Sequence, residues 1–176
     1  MNDVARVALL IEDGFDDDEV ERIRTAFQNA LHEVRLVAPF THRTYQGRQH
    51  RLTLASDAAA ATICAATFAA LIIPGGYAPD RIRMRHAMLD LVRDALTRGI
   101  PVGAIGPGAQ VLISAGVIAG RTVTCWPSIA IDVKNAGGLY VDKPVVEDGN
   151  LITSRKPDDV PMFSDAIIRA LSKVQV

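Results

Sequence analysis

The chain is 176 residues long and 49% hydrophobic, with 19 basic and 20 acidic residues. That length suits one soluble domain with a sizeable core, and the balanced charge gives no footprint for nucleic acid or an anionic membrane. No apolar run approaches the roughly 20 residues that span a bilayer, and the opening Met1, Asn2 and Asp3 carry no signal-peptide pattern. Two cysteines, Cys64 and Cys125, form neither a metal spacing nor a disulfide framework, so a cytoplasmic protein with reduced thiols is expected.

Val4 to Ile11 is apolar except for Arg6, the pattern of a strand covered on both faces. A turn at Glu12 to Phe15 leads to Asp16, Asp17, Asp18 and Glu19, which crowd one helix start. Carboxylates there cap free N–H groups and oppose the positive end of the helix dipole. Val20, Ile23, Phe27 and Leu31 follow at helical spacing, and Glu33 to Ala38 reads as a second strand. The resulting β-α-β unit predicts parallel strands with a right-handed crossover.

Pro39 to Leu54 breaks this pattern and is read as a short antiparallel excursion around Gly47. Asp57 to Thr67 is alanine-rich and predicts a short helix. Ala69 to Ile73 is a buried strand that ends at Pro74, Gly75 and Gly76. Pro79 to Arg98 predicts one helix with Met84, Met88, Leu89, Val92 and Leu96 on its apolar face, stopped by Gly99. Pro101 to Gly116 then reads as a strand, a tight turn at Gly106, Pro107 and Gly108, and a helix opening at Ala109.

Val123 continues into a short strand, Ser128 to Ala136 is helical, and Val145 to Thr153 is a hairpin turning at Asp148, Gly149 and Asn150. Asp158 to Lys173 closes the chain as a helix, with Pro161 tolerated in its first turn. Alternating strands and helices with no linker or repeat predict a single-domain parallel α/β sandwich.

Several motifs in this order resemble the ThiJ/PfpI family of the class I glutamine amidotransferase-like superfamily. They include Leu10 to Phe15, Leu71 to Asp80, Leu112 to Val117, Trp126 to Ile129, Asn135 to Gly138 and Glu147 to Arg155. The resemblance covers nearly the whole chain. It implies a flavodoxin-like three-layer α/β/α sandwich and a homodimer or higher homo-oligomer. Family members include proteases, amidases, glyoxalase- and deglycase-type enzymes, hydratases, chaperones and regulators, so membership alone selects no reaction.

The family pattern at the strand-to-helix corner is Ala-Ile-Cys-His-Gly-Pro, and here Ala104, Ile105, Gly106, Pro107, Gly108 and Ala109 stand in its place. Gly106 therefore occupies the position of the nucleophilic cysteine, and Pro107 that of the histidine. Asp16 is matched to the family's acid beside the cysteine, and Asp80 to an acid that a neighbouring subunit contributes in the protease-like branch. Trp126 replaces an aromatic that is commonly tyrosine.

Glycine cannot attack a substrate, and proline lacks the N–H that would donate to an oxyanion; losing one such donor costs about 10²–10³ in rate. Glycine and proline also simply make a good turn. Gly75 and Gly76 are read as a tight turn whose N–H groups can face an anion. Asp16 reads equally as a helix cap, Asp80 as a helix-start or interface residue, and Cys125 as a buried structural thiol rather than a replacement nucleophile. The expected pocket takes a small molecule, with Asp16, Asp80, Gly75, Gly76, Gly106, Pro107 and Trp126 as candidate residues and with neither metal nor cofactor.

Two functions compete. One is a non-catalytic or ligand-binding homologue, a pseudoenzyme related to stress response. The other is an enzyme of hydratase, lyase, isomerase or cyclase type using Asp16 and Asp80 in acid–base chemistry. An ordinary protease, amidase or deglycase is a weaker third.

Overall fold

The computed structural model describes residues 4–173, so the expectation drawn from Met1, Asn2 and Asp3 lies outside the described residues. The first apolar run forms β1 (Arg6–Leu10), in which Val7, Ala8, Leu9 and Leu10 are fully buried. A strand covered on both faces has no polar side, which is why its sequence does not alternate. Next come α1 (Asp17–Asn29), burying Val20, Ile23 and Phe27, and β2 (Glu33–Ala38), which pairs parallel with β1 from Arg6 opposite Glu33 to Leu10 opposite Val37.

The excursion is a hairpin of β3 (Thr44–Gln46) and β4 (Thr53–Ala55), paired antiparallel. β5 (Ala58–Ala59) then adds to the edge of β2. After β6 (Ala70–Ile73) come α2 (Ala78–Ile82), α3 (His86–Thr97) and β7 (Val102–Ile105). A 3₁₀ turn at Gly106–Gly108 opens α4 (Ala109–Ala115). β8 (Thr122–Val123), α5 (Ala130–Asn135) and β9 (Leu139–Tyr140) follow, with β8 and β9 paired parallel in a small separate sheet. The hairpin of β10 (Val145–Asp148) and β11 (Leu151–Ser154) leads into α6 (Val160–Lys173).

The seven-stranded sheet has the order β10-β11-β7-β6-β1-β2-β5. All its pairs are parallel except β10 against β11. α1 packs with α6, while α2 and α3 pack with α4 in a second helical group, giving the flavodoxin-like α/β sandwich of a single domain. From β1 the chain moves to β2 and β5 on one side, then returns to β6 and moves to β7 and β11 on the other. The order therefore reverses between β1 and β6. Right-handed crossovers put successive helices on opposite faces at such a switch point, and a crevice opens beyond the carboxyl ends of its strands.

Three expectations need correction. Pro79 to Arg98 is two helices, not one: Arg85 takes an extended conformation, and Met84 and Arg85 close tight turns onto Arg81 and Ile82. Met84 consequently leaves the apolar face and is 79% exposed. Asp57 to Thr67 is not a helix but β5 followed by 3₁₀ turns at Ala60–Thr62 and Ala65–Thr67. Ile63 and Cys64 are extended between those turns, so alanine's helix propensity gives way to the edge pairing that covers β2. Ser128 to Ala136 begins as a 3₁₀ turn at Pro127–Ile129 before α5.

Candidate functional site

The carboxyl ends of β1, β6 and β7 meet beside a cavity of about 640 Å³. Each end contributes a sharp corner. At the β1 corner Phe15 bridges to Gly76: Asp16 donates its N–H to the Gly75 carbonyl at 3.3 Å, and Tyr77 donates to the Gly14 carbonyl at 2.7 Å. Gly76 has φ +81°, and a Cβ there would lie 2.5 Å from both the Asp16 nitrogen and the Gly14 oxygen. A side chain at 76 would push the two corners apart.

The four consecutive acids divide their work. Asp16 is the N-cap of α1 and accepts from the Glu19 N–H at 3.0 Å. Its other oxygen accepts from Arg48, at 2.9 Å from Nε and 2.8 Å from Nη2. Asp17 turns away to the hairpin loop, where Gln49, Arg51 and Leu52 donate backbone N–H groups at 2.8–3.0 Å. Burial alone would raise its pKa, but these three donors outweigh it and hold the carboxyl below its ordinary value. Asp18 faces outward and pairs with Arg51. Glu19 is 2% exposed and points inward.

Glu19 Oε2 accepts from the Gly75 N–H at 2.6 Å. Burial pushes its carboxyl up to about 8, helped by the neighbouring Asp16 charge and opposed by the Gly75 hydrogen bond and by Arg48 and Arg22. At neutral pH the protonated form therefore predominates. The pattern Asp-x-x-Glu at a helix start is that of a capping box, in which the glutamate reaches back to the cap's own N–H. Here Asp16 caps as expected, but the β6 corner supplies Glu19 with a different N–H.

Gly106 sits at the β7 corner with φ +59°, a region glycine enters without strain. A Cβ placed there would lie 3.3 Å from the Arg155 carbonyl oxygen and 3.9 Å from Glu19 Oε1. The acid that faces this corner is thus Glu19, whereas Asp16 is held by its cap and by Arg48. Pro107 lines the cavity and offers no N–H to it. Trp126 donates its N–H to the Gly106 carbonyl at 3.3 Å, which ties its loop to the corner, and its side chain is 41% exposed on the cavity wall.

Among the residues singled out from sequence, Asp16, Asp80, Gly76, Pro107 and Trp126 line the cavity, while Gly75 and Gly106 lie beneath it against Glu19. Asp80 is exposed in the first turn of α2 and lines the same cavity as Glu19. Sequence reasoning passed over Glu19, and over Arg48 and Tyr77, whose guanidinium and ring lie 5.7 Å apart at the rim. The Asp-x-x-Glu spacing could have singled out Glu19. Nothing in the sequence of the hairpin loop singles out Arg48. Cys125 is fully buried, and burial with the nearby Asp132 charge pushes its thiol up to about 12. A thiol so placed has almost no thiolate with which to attack.

Residues 5–170 match the profile of the DJ-1/PfpI family. Protein/nucleic acid deglycase 2 of Escherichia coli K12 is 40% identical over 167 residues, covering 94% of this chain and 97% of that protein. General stress protein 18 of Bacillus subtilis 168 is 35% identical, covering 96% of this chain and 98% of that one. Among solved structures, a two-domain protein of Anabaena variabilis with DJ-1/ThiJ/PfpI-like and ferritin-like domains superposes with a TM-score of 0.94 at 36% identity, covering 96% of this chain and 48% of that one.

Proposed function

Because this chain belongs to the DJ-1/PfpI family, we propose that it is a small-molecule-binding member that works without a cysteine nucleophile. The observation that carries this reading is the β7 corner. Gly106 has no side chain, Pro107 has no N–H, and the thiol of Cys125 is buried and pushed up to about 12. The cavity, its buried acid and its aromatic rim nevertheless remain. The name deglycase belongs to the Escherichia coli relative, and the corner argues against carrying a thiol-dependent deglycase, protease or amidase activity over to this chain.

The test is release of methylglyoxal from glycated N-acetylarginine and cysteine. Expected rates equal the buffer blank before and after iodoacetamide. Turnover that iodoacetamide stops, and that Cys125→Ser removes, would overturn the reading.

One observation favours a second reading, an enzyme of hydratase, lyase, isomerase or cyclase type. The Glu19 carboxyl at about 8 is poised near neutral pH, where general acid–base catalysis is most effective. Asp16 is engaged by Arg48, which leaves Glu19 and Asp80, both lining the cavity, as the acid–base candidates. Turnover of a screened substrate that survives alkylation but is lost in Glu19→Gln would favour this second reading.

We further propose a homo-oligomer, since Phe40, Tyr77 and Met84 are 50%, 65% and 79% exposed near this end of the molecule. Light scattering that gives a monomer mass at micromolar concentration would remove it.

A further inference from the structure

A second cavity, of about 280 Å³, is lined by Glu12, Asp13, Arg43, Arg81, Met84 and Arg85, and shares Arg81 with the first. Glu12 lies just beyond the carboxyl end of β1, Arg43 just before β3, and Met84 and Arg85 at the break between α2 and α3. The two acids are unevenly committed. Asp13 is fully engaged: one oxygen accepts from the Gln46 N–H at 2.9 Å and the other from Arg43 at 3.3 Å. Glu12 is 2% exposed, and its Oε1 accepts from the Asp13 N–H at 3.0 Å. Its Oε2 is buried and accepts no hydrogen bond among the described residues. Arg85 Nε, 3.5 Å away, offsets the charge of that oxygen without hydrogen-bond geometry.

The three guanidiniums differ in the same way. Arg43 and Arg85 lie over the Phe40 ring, 5.9 and 5.6 Å from its centroid, and each has an acidic partner. Arg81 meets no carboxylate among the described residues. Three guanidiniums against two carboxylates leave one positive charge for an anion. A buried acceptor without a donor is costly, so the ligand that suits this cavity also brings a donor to Glu12 Oε2. A simple carboxylate answers Arg81 and leaves Glu12 unanswered. An α-amino acid answers both but adds a fourth cation to the three guanidiniums. A hydroxy carboxylate answers both with one negative charge: its carboxylate accepts from Arg81 and its hydroxyl donates to Glu12 Oε2. The volume admits only a small molecule, and Met84 offers apolar surface to its carbon skeleton.

We propose that this cavity is a second binding site, for a small hydroxy carboxylate monoanion, with Glu12 reading the hydroxyl and Arg81 the carboxylate. The inference does not rest on the cysteine-free reading, because Glu12 and Asp13 line this cavity and not the larger one.

The probes are a matched series, 2-hydroxyisobutyrate, isobutyrate and 2-aminoisobutyrate, titrated against the full chain by saturation-transfer NMR at pH 7.5. The hydroxy acid is expected to bind about tenfold more tightly than either counterpart. Glu12→Leu removes the acceptor and is expected to bring the hydroxy acid and isobutyrate within about twofold of each other. Arg81→Ala is expected to weaken both about tenfold and to leave their ratio unchanged. The ratio separates the two roles from a loss of fold, and circular dichroism checks each variant.

Equal binding of isobutyrate by the wild type overturns the site, and tighter binding of 2-aminoisobutyrate overturns the monoanion assignment. A ratio unchanged in a folded Glu12→Leu, or full affinity in Arg81→Ala, places the ligand elsewhere and also overturns it. So does a wild type that binds none of the three, the result expected if a second copy of the chain seats over Phe40 and Met84. None of these outcomes touches the cysteine-free reading, which falls only if turnover proves sensitive to alkylation.

Discussion

The two walls of the cavity are built from the same kind of corner and have opposite chemical content. The β7 corner presents Gly106 and Pro107, with neither a titratable side chain nor an N–H from Pro107. The β1 corner presents Asp16 and Glu19, both buried and each held by named partners. The backbone bends alike at both: Gly106 sits at φ +59° and Gly14 at φ +88°. A sharp corner of this kind holds its bend without a reactive side chain, because the bend belongs to the backbone. Buried acids are harder to leave unpaired, since a lone buried charge costs far more than a turn. The β1 wall therefore has its own hydrogen bonds and does not depend on the β7 wall.

The largest test strikes the junction between the β1 and β6 corners. Gly76→Ala forces a Cβ to within 2.5 Å of the Asp16 nitrogen and the Gly14 oxygen, at a positive φ. A loss of about 4 kcal/mol or more in urea unfolding is expected. A loss below about 1 kcal/mol would mean that these two corners are not locked together.

Glu19→Gln sharpens the contrast through pH. The folded carboxyl titrates near 8 against an ordinary 4.5, so a raised value stabilises the fold most fully below pH 4.5. That stabilisation fades as pH rises and is gone above about pH 8. The variant has no carboxyl to ionise, so its melting temperature should gain on the wild type through this window, by the equivalent of about 5 kcal/mol in all. A difference that stays flat from pH 4.5 to 8 would mean that Glu19 is ionised in the folded protein.

Asp17→Ala tests the same helix start on its outer side. Removing the carboxylate leaves the Gln49, Arg51 and Leu52 N–H groups without their acceptor. The expected cost is about 2 kcal/mol, with faster amide exchange at those three residues than in the β7 corner. Because the Asp17 value is depressed, its contribution is present above the ordinary 3.8 and is lost as pH falls through the lower folded value. Stability lost from this site above pH 5 would contradict that sign.

The smallest effect concerns the thiols. Exposed Cys64 should alkylate at pH 8, while Cys125, with its thiol near 12, should react at least about 100-fold more slowly. Cys125→Ser should leave ligand affinity within about twofold. Fast labelling of Cys125 by mass spectrometry would restore it as a candidate nucleophile.

Much of this molecule was legible from its residues. Continuous apolar runs marked β1, β6 and β7 because strands covered on both faces have no polar side to show. The alternation of strands and helices gave the parallel sandwich, and Gly106 beside Pro107 marked the sharp corner after β7 without coordinates. The acidic run at residues 16–19 announced a helix start, but its division of labour was not readable. Four adjacent carboxylates look alike until the fold shows which N–H or guanidinium each one meets. Those partners lie 32–56 residues away, at Arg48, Gln49, Arg51, Leu52 and Gly75. The sequence by itself determined which side chains the corners lack. Tertiary structure decided that Glu19, rather than Asp16, is the acid facing Gly106, because that choice depends on how β6 and the hairpin loop pack against the start of α1.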